Sequence, residues 1–288
     1  TDVETLTWRE GKSFEEGQMI LLEERFWVAK SDLVTDAVFN QENWTLFDRH
    51  EYTIFNPVHT WIEFINRLIG ALSGLPILLM TLLAFVQVRK NVWNAVLSFG
   101  VLFLLGFEAW LGKLVVDGNL VPNQITIHMM GSVAIVLLLL AIRARNDNST
   151  QVLPKSILRV LVALLVAVVV QIFLGTQTRE LVDAAVDHGV VERLEIIPSI
   201  EQAMPRIHRS FAWIVILLTS ALFYLRRAKG VEIPGFNALL FAVGLEWTIG
   251  VVLYFLGLPK AMQPVHLVLS IGILASISYP LFLALRKS

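Results

Sequence analysis

Seven long runs of apolar residues divide the chain, and short polar loops separate them. They fall at about 61–87, 92–116, 124–143, 154–176, 207–225, 236–257 and 264–285. At 1.5 Å per residue each run is long enough to cross a hydrocarbon core of roughly 30 Å. The pattern predicts an all-α membrane protein with seven transmembrane helices. Residues 1–58 break from it, being polar and acidic. Between Phe14 and Asp36 the spacing is helical in places, at Met19, Leu22 and Phe26, and Asn40 to Pro57 reads as a loop. Having neither a basic start nor an apolar core, this segment is not a signal peptide. It is either a hydrophilic tail or an ordered extramembrane cap.

One membrane stretch occurs twice. Glu108-Ala-Trp-Leu-Gly112 is followed by a turn and His128, and Glu246-Trp-Thr-Ile-Gly250 by a turn and His266. In both copies the Glu precedes the His by 20 residues and the Gly precedes it by 16. Upstream, Glu63-Phe-Ile-Asn66-Arg67 leads into the first copy and Pro205-Arg-Ile-His208-Arg209 into the second. Two matched spacings in one pair of segments predict an internal duplication. The domain reading is an acidic segment at 1–58, a three-helix half-bundle at 59–145 and a four-helix bundle at 152–286. The run at 154–176 has no partner in the first unit. This implies two four-helix bundles, with the partner helix preceding Thr1.

Composition agrees with the hydropathy pattern: 56% of residues are hydrophobic, 16% are charged and mean hydropathy is +0.66. The chain has no cysteine, which removes disulfides and thiolate metal sites. Residues 1–60 hold 5 Lys/Arg against 12 Asp/Glu, and the remainder holds 18 against 12. Because the basic residues lie in loops between apolar runs, they form no nucleic-acid surface. Loops after alternate spans carry Arg89, Lys90, Arg143, Arg145, Lys155, Arg226, Arg227, Lys229, Arg286 and Lys287. Only Asp147 and Glu232 oppose these ten. The positive-inside rule places those loops in the cytoplasm, so the N-terminus faces outside and the C-terminus inside.

Ionisable residues inside a bilayer are costly and mark candidate sites. His128, His208 and His266 all lie in the outer third of their spans. Facing neutral imidazoles such as His208 and His266 can hold haem iron, whereas a lone His can simply hydrogen-bond a neighbouring helix. Zinc fits less well, because no third or fourth ligand sits at that depth. Arg67 and Arg209, at the outer edge, suit either a haem propionate or a lipid headgroup. Glu63, Glu108 and Glu246 are expected to pair with these arginines or Lys113, or to handle protons. Gly112 and Gly250 predict close helix packing or room for a flat ligand.

Taken together, Gly175 with Arg179, His208-Arg209, the Glu-x3-Gly segments, Thr126-Ile-His128 and Pro264-Val-His266 resemble the CtaA-type haem A synthase family over about residues 57–285. The resemblance implies two pseudo-symmetric four-helix halves, each with an outer haem pocket. It implies that His208 and His266 ligate a resident haem b. It further implies that Glu63, position 66 and His128 belong to the half where haem O becomes haem A, its C8 methyl oxidised to formyl through successive hydroxylations. The electrons would come from an outside donor. The implied setting is a bacterial cytoplasmic membrane. The candidate partners are the lipid bilayer, haem O, haem O synthase and that donor, and an oligomer is compatible with the pattern.

Two features depart from the family. Asn66 stands where the family's Glu-x-x-His-Arg has histidine, and the family's first span and its cysteine segment are not in this sequence. With Asn66 a poor iron ligand, the expectation is one iron ligand, His128, with Asn66 as a hydrogen-bond donor on the open side and Glu63 as proton relay. The competing expectation brings in His59, about 10 Å away along the helix axis, as the second ligand. The alternative function is a non-catalytic haem-binding electron carrier or assembly factor. A transporter fits less well, because the repeats run parallel and the helices lack Gly/Pro breaks at mid-membrane.

Overall fold

The computed structural model describes residues 4–5, 11–14, 18–22, 25–36, 38–46, 57–117, 123–149, 151–187, 193–200, 203–259 and 261–286. The chain divides into two compact units, Thr1–Leu68 and Ile69–Ser288.

The first unit carries a small β structure where the spacing of Met19, Leu22 and Phe26 had suggested a helix. Strands β1 (Glu4–Thr5), β3 (Met19–Leu22), β4 (Arg25–Ala29) and β6 (Trp44–Leu46) form one sheet in the order β1-β3-β4-β6. Strands β2 (Ser13–Phe14) and β5 (Leu33–Val34) form a second, antiparallel pair. The period along β4 is two: Trp27 and Ala29 are buried, as a half-buried strand requires. They join Phe14, Ile20 and Trp44 in a core where Phe14 meets Trp44 edge-on at 5.3 Å. Aromatic and β-branched residues favour that pleated surface over a helix. The segment is therefore an ordered β unit and not a bare tail. A 3₁₀ turn at Gln41–Asn43 and strand β6 replace the beginning of the expected loop, and residues 47–56 lie outside the described residues.

Helix α1 (Pro57–Val86) starts in this unit and continues into the second. Proline's fixed φ suits a first helical position. Pro76 interrupts one backbone bond, yet the helix continues through it. The second unit adds α2 (Val92–Asp117), α3 (Gln124–Arg145), α4 (Lys155–Asp187), α5 (Arg193–Ser199), α6 (Ala203–Lys229), α7 (Phe236–Phe255) and α8 (Met262–Leu285). Among the described residues seven helices, all but α5, are long and apolar enough to cross a membrane. The expected all-α membrane architecture is therefore what the chain adopts. The region 177–206, read only as a polar connection between the fourth and fifth apolar runs, is largely helical among the described residues. There α4 runs on to Asp187, and its Val182 and Ala185 bury against Ile196 and Ile200 at α5. Those apolar positions continue the helical stripe past the end of the membrane run.

The main core joins α3, α4, α6, α7 and α8, with Leu161, Leu164, Leu222, Leu239, Leu274 and Ile277 almost fully buried. Helix α1 is different. Leu75, Leu79, Leu82 and Leu83 are exposed along it, a face that only lipid or another helix accommodates. It meets α2 through small residues: Thr81 Oγ1 donates to the Ser98 carbonyl at 3.1 Å, and Gly74 faces Leu105.

One end of the bundle is tied by the α3–α4 loop. Arg286, just past α8, donates to the carbonyls of Ala144 at 2.8 Å and Ser149 at 3.2 Å, and to that of Asp147. The Asp147 carboxylate accepts from the Tyr279 hydroxyl and from Ser149 N, and pairs with Arg143 at 2.9 Å. These donors, the Tyr279 hydroxyl first and Ser149 next, hold the Asp147 carboxyl well below the usual carboxylate range.

Candidate functional site: paired histidines at one end of the bundle

All three membrane histidines stand near the start of a helix: His128 four residues into α3, His266 four into α8 and His208 five into α6. Counted backward, Glu108 lies nine residues before the end of α2, and Glu246 nine before the end of α7. The α2–α3 and α7–α8 hairpins thus carry the same pair of residues at the same register. This is why a spacing of 20 recurs in the sequence: folding each hairpin brings Glu and His to one level.

The two side chains then touch. Glu108 Oε2 stands against His128 Nδ1, and Glu246 Oε2 lies 3.2 Å from His266 Nδ1, within ion-pair range though off-line for a hydrogen bond. Glu108 is buried at 7% exposure while His128 is 48% exposed. Each glutamate thus has a histidine of its own hairpin beside it.

The glycines act differently from their expected pairing. Gly250 lies close to His266, where an added Cβ would sit 3.6 Å from Cε1, but Gly112 has nothing within 4 Å. In the first hairpin the tight position is Gly131 on α3, where a Cβ would come within 1.8 Å of Glu108 Oε1. Leu269 occupies the matching place on α8. Gly131 carried no signal in the repeat, since its counterpart is not glycine.

His208 rests on Gly175 of α4, where a Cβ would be 3.2 Å from its Cε1. Its Nδ1 is buried with no hydrogen-bond partner among the described residues. His208, near the start of α6, and His266, near the start of α8, belong to two helices that both pack against α4. Arg209 stacks its guanidinium 4.4 Å over the Tyr254 ring of α7.

The C-terminal part of α4 reaches all three histidine-bearing helices, which sequence reading did not anticipate. Thr126, two residues before His128, shares hydrogen bonds with Thr176 (2.9 Å), Gln177 (2.8 Å) and Glu180 (3.0 Å). Gly175 supports His208. Arg179 pairs with Asp183 at 2.6 Å and donates to Gln263, three residues before His266. Helix α4 thus braces α3, α6 and α8. The polar residues Thr176, Gln177, Arg179 and Glu180, crowded into little more than one turn, were the signal available.

Of the remaining candidates, Asn66 and Arg67 are exposed on α1 within the first unit. The side chains of His59 and Glu63 lie outside what the structure describes.

Residues 17–278 match the family described as COX15-CtaA, cytochrome oxidase assembly protein. The chain belongs to that family. A haem A synthase from Wolbachia pipientis subsp. Culex pipiens (strain wPip) is 25% identical over 235 residues, covering 71% of this chain and 68% of the relative. No solved structure matches the chain. The resemblance to CtaA-type haem A synthases read from the histidine and glutamate motifs therefore holds, and the chain is a multi-pass membrane member of a cytochrome oxidase assembly family.

Proposed function

We propose that this COX15-CtaA family member is a membrane oxidoreductase that converts haem O to haem A, oxidising the C8 methyl to a formyl group. A resident haem b would sit in its C-terminal half. The observation that carries the reading is the His208–His266 pair. His208 stands near the start of α6 and His266 near the start of α8, helices that both pack on α4, and the buried His208 Nδ1 has no hydrogen-bond partner among the described residues. Gly175 and Gly250 make room for the two imidazole rings, and a pair of imidazoles is a donor set that suits haem iron. When bound, haem supplies the one-electron and oxygen chemistry that amino-acid side chains lack.

The chain's own residues take the remaining roles. His208 and His266 hold the resident group, and His128 holds the substrate. Arg209, stacked on Tyr254, and Arg67 are the proposed propionate partners, because a guanidinium matches a carboxylate in bidentate fashion. Asn66 donates a hydrogen bond beside the substrate and Glu63 passes protons to it. The ten basic loop residues support a periplasmic N-terminus and a cytoplasmic C-terminus in a bacterial inner membrane. Haem O synthase and an electron donor are the proposed partners.

Pyridine-haemochrome spectra and extracted-haem analysis of the purified protein test the reading. Haem b in the wild type, lost or spectrally converted in His208→Ala and His266→Ala, is expected, together with haem A formed from haem O. Haem b without any haem A product would instead support a non-catalytic electron carrier. An unchanged spectrum in both variants would falsify the paired-histidine site.

A further inference from the structure

We infer that Glu108 and Glu246 are positioning residues, each drawing the Nδ1 edge of its histidine toward a carboxylate and leaving Nε2 for haem iron. The inference rests on the reading above that His128 and His266 face haem. The same contact, Oε2 to Nδ1, forms in both hairpins at the same register. A contact that is only a helix crosslink has no need to choose one ring nitrogen twice. A carboxylate buried in a membrane span is costly and persists only with a partner. In the first hairpin the chain gives up a side chain at position 131 to make room for it, since any Cβ there would collide with Glu108 Oε1. Metal-ligating histidines usually donate the ring N–H not used for the metal to a carboxylate, carbonyl or water, which fixes the tautomer and raises ligand basicity.

The two dyads differ in strength. Glu108 lies against His128 in the Gly131 notch, while Glu246 stands 3.2 Å from His266, with Leu269 in place of that notch. No carboxylate stands against the His208 ring among the described residues, and Gln171 binds its backbone carbonyl at 3.0 Å, not the ring. In the proposed haem b site, therefore, one axial histidine is made electron-rich and the other is not. A more basic ligand favours ferric over ferrous iron, so the carboxylate lowers the reduction potential.

The test uses full-length protein purified with its haem, comparing wild type with Glu246→Gln, Glu246→Ala and Glu246→Asp. Glu246→Gln keeps the shape and removes the charge. Haem retention should fall about 10–100-fold in Glu246→Ala. The ferrous preference should rise about tenfold in Glu246→Gln, which is 59 mV for a one-electron couple. Glu246→Asp should fall between Glu246→Gln and wild type. Glu108→Gln offers an independent case, read as weaker binding of added haemin to a His208→Ala background. Wild-type protein that carries no haem overturns the underlying reading, and this inference with it. Haem that is lost in His266→Ala but keeps wild-type affinity and potential in Glu246→Gln and Glu246→Ala overturns the inference alone.

Discussion

Replacing Gly131 by alanine tests the Glu108–His128 contact through a residue that touches no ligand. The new Cβ would lie 1.8 Å from Glu108 Oε1 and 2.9 Å from its carboxyl carbon. To regain a separation of 3.0 Å from Oε1, the carboxylate must retreat by 1.2 Å (3.0 − 1.8). That movement takes it away from His128 Nδ1 and leaves a buried acid poorly partnered, at a cost of about 1–3 kcal/mol. Alanine is otherwise the better helix former, by about 1 kcal/mol. The sign of the effect therefore depends on Glu108. In the wild-type background Gly131→Ala should destabilise by up to about 2 kcal/mol net. In a Glu108→Ala background the obstructing oxygen is gone, and the same change should stabilise by about 0.5–1 kcal/mol. The assay is a double-mutant cycle on detergent-solubilised protein, read by thermal or denaturant unfolding. Equal effects in the two backgrounds, or stabilisation in the wild type, would refute the notch.

Three further predictions concern other parts of the bundle. Gly175→Leu should displace the His208 ring and remove the haem b spectrum as fully as His208→Ala does, while Gly175→Ala, 3.2 Å from Cε1, should only shift it; an unaltered spectrum in Gly175→Leu would contradict the α4–α6 contact. Asp147→Asn should lower the melting temperature at pH 7. The Asp147 carboxyl is depressed by Tyr279 and Ser149, so its stabilisation is present above the unfolded value of about 3.9 and lost as pH falls toward the folded one. The difference between Asp147→Asn and wild type should thus narrow below about pH 4, and an equal loss at pH 7 and pH 3 would count against this clamp. A cysteine introduced at Thr5 should label with a membrane-impermeant thiol reagent on intact spheroplasts; labelling only after lysis would reverse the orientation.

The seven spans were legible because a bilayer imposes a length of apolar chain, and that length appears directly in the sequence. The duplicated Glu and His were also visible, as a spacing. What the spacing could not tell was that Glu108 meets His128 and Glu246 meets His266, because a 20-residue separation becomes a contact only when the hairpin turn sets the register. Charge suggested arginine partners for these acids, and packing brings a histidine to each. The β unit was misread because its strands are short and its alternation, clear at Trp27 and Ala29, extends over few residues. The end of α4 was misread because its acidic residues resemble a loop while Val182 and Ala185 keep the helix buried against α5. Gly131 shows the limit most clearly. Nothing local distinguishes it from the other membrane glycines, and its necessity comes from a carboxylate on α2, 23 residues earlier in the chain (131 − 108). By itself the sequence determined the length, polarity and repeat of the helices, since these are properties of neighbours along the chain. Only the tertiary structure decided which side chains share a buried space, because that depends on how separate helices approach one another.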